Sequence, residues 1–565
     1  MQLAIYAPTL PVPHSAKPFG KDIANHGLIA AMVRYGRFDQ LTLLSAEPPE
    51  VLRLFKEQLI ATSPGHASAV AIQQSELLDL SAAAAAGTLL RGQPYLGELA
   101  WARARLQHQS TFSLAGVIHT LAPPRVRELI GEVLIAPVQP WDALICTSPS
   151  VRNSLEQLLD RWQHHLQQRL GARRFIRPQL PVIPLGVDRV SIEEQRSDAG
   201  ARRFLRSNLA LADEDLLVLW IGRLSYYEKA FPQAMFIAMQ RAARRTSCRL
   251  HFVMAGWFPD GDVDHHRYRE AADRHAPDLK VHFLDGRNPE VLRSCWAAAD
   301  LFLSLVDNPQ ETFGLAPVEA MAAGLPLVVS DWDGYRYTVQ DGVEGFRIPT
   351  LMPPANDLGL NLALEHDFGQ LTYQNYAGSV AQHVAVDIDR AASVIACLAD
   401  TPDLRRRMGE AGRRAVRDRF DWPVVAGVYR ALFEDLERRR LSAVGQRETA
   451  QANPLRDDPF SVFSGFASNT LSSRGQLRLL LSRLELEKAV VQLCWLDECY
   501  ADLRLNNDEL QSLLGRLEPF GSLHRLDALS KTVPCERRDA LLLTLAWLVK
   551  QGFLEYVPES FGVDA

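Results

Sequence analysis

The stretch Asn308-Pro-Gln-Glu-Thr-Phe-Gly-Leu-Ala-Pro-Val-Glu-Ala-Met-Ala-Ala-Gly-Leu-Pro326 decides how the surrounding 565 residues are read. One apolar run, residues 301–305, precedes it, and another, residues 327–330, follows it. Both have the length and composition of buried strands. Between them, Pro317 fits the first turn of a helix, where a missing N–H costs little. Gly324 ends that helix and Pro326 blocks its continuation. A helix of about two turns therefore begins just after Thr312-Phe313-Gly314-Leu315. Strand, helix and strand in this order predict a parallel βαβ unit.

The same alternation extends in both directions. Upstream, apolar strands are predicted at residues 216–221, 250–255 and 281–284, with a helix over 232–245 that carries its proline in the first turn. An earlier series begins at the N-terminus. It has strands at 3–7, 41–44, 114–118, 143–146 and 181–183, and a helix over 23–35. Two successive βαβ series imply two Rossmann-like α/β domains, residues 1–195 and 205–425. The polar segment 191–201 reads as the linker between them. Residues 426–445 read as a helix, and 446–475, rich in Ser, Asn, Asp, Pro and Gly, as a second linker. The remainder, 476–565, reads as mainly helical, with helices over 477–503, 507–517 and 538–551. Its end, Val-Lys-Gln-Gly-Phe-Leu-Glu-Tyr, resembles the tail of a winged-helix unit.

A helix start presents free N–H groups and a partial positive charge, which suit a phosphate. Gly314 lets the backbone approach such a ligand closely. Glu311 and Glu319 flank the same spot and would repel a phosphate, so they suit hydroxyl groups instead. Phosphates and hydroxyls together describe a nucleotide sugar. A second cluster, Gly222-Arg223-Leu224 with Lys229, follows the strand 216–221 at the end where open α/β sheets bind ligands. Two cations there would stabilise the charge that develops on a departing diphosphate. Only eight lysines occur in the chain, so one at this position is less accidental.

Glu311 and Glu319, separated by seven residues that include Phe-Gly-Leu, with Ala-Met-Ala-Ala-Gly-Leu-Pro after the second, resemble the E-x7-E signature of glycosyltransferase family 4. The resemblance covers roughly residues 1–440 and implies a GT-B fold, two Rossmann-like domains facing across a cleft. It implies that Glu311 faces the donor sugar and Glu319 the ribose, and that Thr312, Phe313, Gly314 and Leu315 supply N–H groups to the diphosphate. It implies that Arg223 and Lys229, beside Gly222, stabilise the leaving group without a metal or other cofactor. His119, ending the strand 114–118, resembles the histidine that reaches the donor sugar. Phe19-Gly20 resembles the glycine loop over the diphosphate. Pro184-Leu-Gly-Val-Asp188 resembles a turn before the interdomain linker. Arg406-Arg-Met-Gly-Glu-Ala-Gly-Arg413 and Phe420-Asp-Trp422 resemble the final helices that brace the first domain. Where many relatives carry Gly-Gly and an acidic residue, this chain has Asp331-Trp-Asp-Gly-Tyr-Arg336, which bears on the shape of the sugar pocket.

The resemblance implies sugar transfer from a nucleotide-diphosphate sugar to an acceptor, with retention of anomeric configuration. A sugar phosphorylase or sugar-phosphate synthase on the same scaffold is the alternative enzyme. A sugar-nucleotide-binding scaffold that uses residues 476–565 for protein contacts or self-association is the alternative of another class. The helix with Leu541, Leu542, Leu543, Leu545, Trp547 and Leu548 is the candidate surface, against the simpler reading that these residues are that domain's core. A net charge of -6 disfavours nucleic acid as a partner. Seven scattered cysteines, an odd number, suggest a reducing, cytoplasmic compartment rather than a disulfide framework, with Cys494 and Cys499 read as buried thiols. No apolar run reaches the roughly 20 residues of a membrane span. Peripheral contact with a membrane could come from the Arg-rich segment 161–177 with Trp162, though a solvated helix face is the simpler reading. Asp260, Asp262, Asp264, His265 and His266 look metal-like but lack the remaining residues of a calcium loop.

Overall fold

In the computed structural model, which describes residues 1–10, 20–61, 71–106, 109–443, 451–482, 484–485, 488–489, 492–517 and 520–558, two sheets of six parallel strands carry the first 452 residues. The first sheet holds β1 (Gln2–Tyr6), β2 (Gln40–Leu44), β3 (Ala71–Ser75), β4 (Thr88–Arg91), β5 (Ser113–Ile118) and β6 (Ala143–Cys146) in the order β3-β2-β1-β4-β5-β6. The second holds β7 (Leu216–Ile221), β8 (Leu250–Gly256), β9 (Lys280–Asp285), β10 (Leu301–Ser304), β11 (Leu327–Ser330) and β12 (Gly345–Ile348) in the order β12-β11-β10-β7-β8-β9. Each order is that of a doubly wound Rossmann sheet, with a crevice at the switch point, between β1 and β4 in one and β7 and β10 in the other. The α/β architecture of two Rossmann-like domains, the GT-B arrangement, is thus observed.

Apolar strands form these sheets because both faces are covered. β5 and β6 are buried at every residue, and helices pack on each side. One face of the first sheet is closed by the helix Gly20–Tyr35 through Leu28, Ile29 and Met32, joined by Val425, Tyr429 and Phe433 from the far end of the unit. The other face packs on Val151, Leu155 and Leu159 of the helix Pro149–Leu170. Arg161 and Arg169 stand exposed on that helix, and Arg177 donates to Asp160 and Gln163.

Arg103 is fully buried beneath the first sheet. Its Nη1 and Nη2 donate to the two carboxylate oxygens of Asp142 at 2.6 and 2.7 Å. Nη1 also donates to the Phe112 carbonyl at 2.9 Å. Asp142 accepts from the backbone N–H groups of Leu114 and Gln139 as well, so one ion pair sets where β5 starts and how the chain enters β6.

Several expectations are corrected. The segment 191–201 is not an extended linker. It lies in two helices, Arg189–Ser197 and Ala199–Asn208, capped by Asp188 and Asp198, whose carboxylates accept from Ser191 and Ala201 N–H groups. Residues 181–183 make only an isolated bridge, Val182 to Cys146, rather than a strand. The last long helix runs Trp422–Ser442, earlier than 426–445. Phe19 and residues 446–450 of the second linker lie outside the described residues.

Residues 453–565 form a second unit. The helix expected over 477–503 is contradicted. Gln476–Leu479 is the central strand of a three-stranded antiparallel sheet, between Leu523–Arg525 and Leu554–Val557. Leu477 and Leu479 alternate with outward polar residues, a strand period that the surrounding leucines mask. Cys494 is exposed and Cys499 partly so, because the chain there is a short turn of helix, Trp495–Glu498. From residue 507 the order is helix, strand, two helices, strand, and the sheet's central strand comes from ahead of them. Leu541, Leu545 and Leu548 are buried in this unit's core, with Leu542 and Trp547 packed against it, as the simpler reading held. No described helix is long and apolar enough to cross a membrane.

Candidate active site

The segments singled out in the sequence meet at the switch point of the second sheet. β7 ends at Ile221. Gly222 donates its N–H to the Ala255 carbonyl at 3.1 Å, and the Leu224 N–H reaches the Trp257 carbonyl at 2.9 Å. These bonds hold Arg223 at the sheet's C-terminal edge. β10 ends beside it, and the chain turns through Asn308 into Glu311 and Gly314. The helix Leu315–Ala322 then starts from Gly314, whose φ of +88° is a left-handed conformation that favours glycine. A Cβ there would also lie 2.1 Å from the Tyr335 ring, so this position is fixed by backbone and space alike. On the helix's outer side, the run 406–413 packs by glycine. A Cβ on Gly409 would lie 2.1 Å from the Gly324 carbonyl oxygen, and Arg413 donates to the Ala323 carbonyl. That motif buttresses the helix.

Lys229 and Glu311 form an ion pair, Nζ to Oε2, at 3.1 Å. Arg223 pairs with Glu228 at 2.7 Å, both side chains about nine-tenths buried. Both expected cations therefore already hold a carboxylate. Asn308, fully buried, is what aligns the two segments. Its Nδ2 donates to the Tyr227 carbonyl at 2.9 Å, and its Oδ1 accepts from the Gln310 N–H at 3.0 Å. Asp307 accepts from the Phe231 N–H, and burial holds its carboxyl well above the usual carboxylate range. Tyr373, on the helix Tyr373–Ala381, donates to the Gln310 Oε1 at 2.7 Å. Sequence reading missed Glu228, Asn308, Asp307 and Tyr373. Only the adjacency of Glu228 to Lys229 was visible there.

The other expected residues divide between the site and its support. Thr312 is buried and donates its hydroxyl to the His119 carbonyl oxygen at 2.7 Å, joining the two Rossmann-like domains. Phe313 points into the core against Phe420, so its backbone, not its ring, is what the site can use. Leu315 packs on the same core. The His119 imidazole turns toward the first domain, with Nε2 2.9 Å from the Asn25 Oδ1. Burial lowers its pKa to about 4, so the ring is neutral. Gly20 starts the helix Gly20–Tyr35, exposed and with open space above it. Beside it, Lys21, Asn25, Tyr6, Arg91 and Gly92 line a cavity of about 110 Å³ at the switch point of the first sheet. Asp264, among the metal-like residues, is buried at the start of the helix Asp262–His275, where it accepts from the Asp260 N–H.

Glu319 sits on the first turns of the helix that starts at Gly314. Neighbouring atoms enclose its carboxyl, although part of the side chain meets water, and burial pushes the pKa up from 4.5 to about 7. The folded state then holds the proton more tightly than the unfolded chain. Its contribution is fully present below pH 4.5 and is lost as pH rises through 7, roughly 2–3 kcal/mol after allowance for solvent. Glu319→Gln is therefore expected to lose less stability than the natural protein between pH 5 and 8. Parallel urea unfolding series would show this, and identical pH slopes would refute it.

Residues 215–360 match the family model of group 1 glycosyl transferases. A D-inositol 3-phosphate glycosyltransferase of Geodermatophilus obscurus is 30% identical over 169 residues, 29% of this chain and 35% of that protein. One of Corynebacterium glutamicum is 24% identical over 257 residues, 45% of this chain and 51% of that protein. An uncharacterised glycosyltransferase of Methanocaldococcus jannaschii is 28% identical over 168 residues, 30% and 40% of the two chains. The matches thus span between about a third and a half of these relatives' own lengths. Among solved structures, the HepE protein of Anabaena with UDP and glucose is 16% identical, with a TM-score of 0.49 over 77% of this chain and 100% of that one. The likeness to group 1 glycosyl transferases thus lies in residues 215–360, the part that holds Gly222, Arg223, Lys229 and Glu311 to Glu319.

Proposed function

We propose that this protein transfers a sugar from a nucleotide-diphosphate sugar to an acceptor hydroxyl, retaining the anomeric configuration and needing no metal. The observation that carries this reading is the cluster of Arg223, Lys229 and Glu311 at the switch point, beside the helix start at Gly314. Binding proceeds by exchange. The diphosphate takes Lys229 and Arg223 from Glu311 and Glu228, and the N–H groups after Gly314 face its oxygens. Glu311, released, accepts from the sugar hydroxyls, and Glu319 from the ribose. The acceptor oxygen attacks the anomeric carbon from the face that the diphosphate leaves. The carbon–oxygen bond to the phosphate breaks, and the acceptor's proton passes to the departing phosphate oxygen. The acceptor lies against the first domain, near Asn25 and His119.

A thermal-shift screen tests the reading. UDP-, GDP-, ADP- and dTDP-sugars would be added in the presence of EDTA. One of them is expected to raise the melting temperature, because a ligand bound only by the folded state must do so. The shift should vanish in Glu319→Ala. No shift with any of the four would refute the reading, and a shift that requires a divalent cation would refute its metal independence.

A further inference from the structure

The loop after β11 is where this chain departs from a glycine-rich pattern, and it holds an aspartate in a glycine-like conformation. Asp333 has a φ of +35°. Aspartate and asparagine are the side chains besides glycine that visit this region most readily, so the backbone admits a carboxyl at a small cost in strain. The Asp333 carboxyl is caught from across the cleft. Ser148, at the end of β6, donates its hydroxyl to the Asp333 Oδ1 at 3.0 Å. The same Ser148 oxygen accepts from the Val151 N–H at 3.1 Å as the cap of the helix Pro149–Leu170, which fixes its position and leaves its proton for Asp333. Asp333 also lies close enough to Glu311 for their charges to interact. Burial, with the Glu311 charge, raises its carboxyl to about 7 against the Ser148 hydrogen bond and the Arg336 charge, which favour the carboxylate. Among the described residues no hydrogen bond reaches its second oxygen.

We infer that Asp333 is a sugar-binding residue of the donor site, whose second carboxyl oxygen accepts a hydrogen bond from a hydroxyl of the transferred sugar beside Glu311. This rests on the transferase reading. Carboxyl oxygens accept from hydroxyl groups, whereas a diphosphate brings acceptors of its own, so this end of the site suits the hydroxyl-bearing ring rather than the diphosphate. Ser148 is a positioning residue, contributed by the opposite domain. It holds the carboxyl in one orientation, so the sugar is read only when the two domains face each other.

The backbone supplies the test. Glycine adopts a φ of +35° without strain, so Asp333→Gly removes the carboxyl and relaxes the chain together. Melting shifts would be measured for UDP and UDP-glucose, GDP and GDP-mannose, ADP and ADP-glucose, and dTDP and dTDP-glucose. For the base that the natural protein binds, Asp333→Gly is expected to keep the shift from the bare nucleotide and to weaken binding of the nucleotide sugar roughly tenfold or more. Asp333→Asn, which tolerates this conformation and keeps an acceptor oxygen, should recover part of the loss. Ser148→Ala should give a smaller loss of the same kind. If the natural protein and Asp333→Gly bind the nucleotide sugar equally, Asp333 is only structural and the inference falls while the transferase reading stands. If the natural protein responds to none of the eight compounds, both fall.

Discussion

Lys229→Ala is expected to lower turnover by about two orders of magnitude or more, and Arg223→Ala to do the same. The expectation follows from where charge appears. As the bond from sugar to diphosphate breaks, negative charge grows on the leaving oxygens, and a cation held there stabilises the transition state more than the ground state. Lys229 is 3.1 Å from Glu311 and Arg223 is 2.7 Å from Glu228, so a carboxylate holds each cation at the edge of the sheet. Removing Lys229 also leaves Glu311 as an uncompensated carboxylate beside the leaving group, so the loss should fall more on kcat than on KM. Lys229→Arg should restore part of it. Glu228→Gln should move bare nucleotide binding the other way, because it frees Arg223 from a competing anion. Steady-state kinetics on the donor found by the screen would decide. Near-normal turnover in both alanine variants would remove these residues from the chemistry.

Asp142→Ala is expected to cost about 3–5 kcal/mol of stability, although Asp142 belongs to the first sheet and the Arg223–Glu311 cluster to the second. The magnitude comes from the partner that remains. Arg103 is fully buried, and without Asp142 its guanidinium keeps the Phe112 carbonyl but loses its counter-ion. The N–H groups of Leu114 and Gln139 lose their acceptor in the same step. Replacing both charged partners with apolar residues, Arg103→Met with Asp142→Leu, should recover much of the loss, because no charge is then stranded. Urea unfolding of the single and double variants measures this. A cost below about 1 kcal/mol for Asp142→Ala would show that water reaches Arg103.

The site was legible where chemistry is local in sequence. A proline, two glycines and two glutamates within one βαβ unit place the helix start and its flanking acids, and the run Gly222 to Lys229 lies at the end of an unmistakably apolar strand. Contacts between distant segments were not legible. Nothing near Ser148 indicates that its hydroxyl meets Asp333, 185 residues away, and nothing near Asn308 indicates that it holds the Tyr227 carbonyl. Strands were missed where burial is incomplete or composition misleads. β3 reads Ala-Ile-Gln-Gln-Ser and is largely exposed at the sheet's edge, whereas β4 hides behind an alanine-rich helix. The segment 191–201 misled in the opposite sense. It has few apolar residues, yet Asp188 and Asp198 cap its helices and Ile192 and Leu205 anchor them.

The helix Trp422–Ser442 also sets an order of events on the ribosome. Val425, Tyr429 and Phe433 belong to the core of the first domain, and Trp422 fills the space beside Gly186 that a Cβ would occupy. The first domain to be translated is thus the last to be completed. Its β1–β6 strands leave the exit tunnel with one face covered only in part, by the helix Gly20–Tyr35, and wait while the second domain is made and folds as an insert. At ordinary elongation rates that wait is on the order of 10–50 s. During it, Phe38, which packs on Phe433, stays open to solvent or to a chaperone. A stop codon just before Trp422 would release a chain with a finished second domain and an open first one.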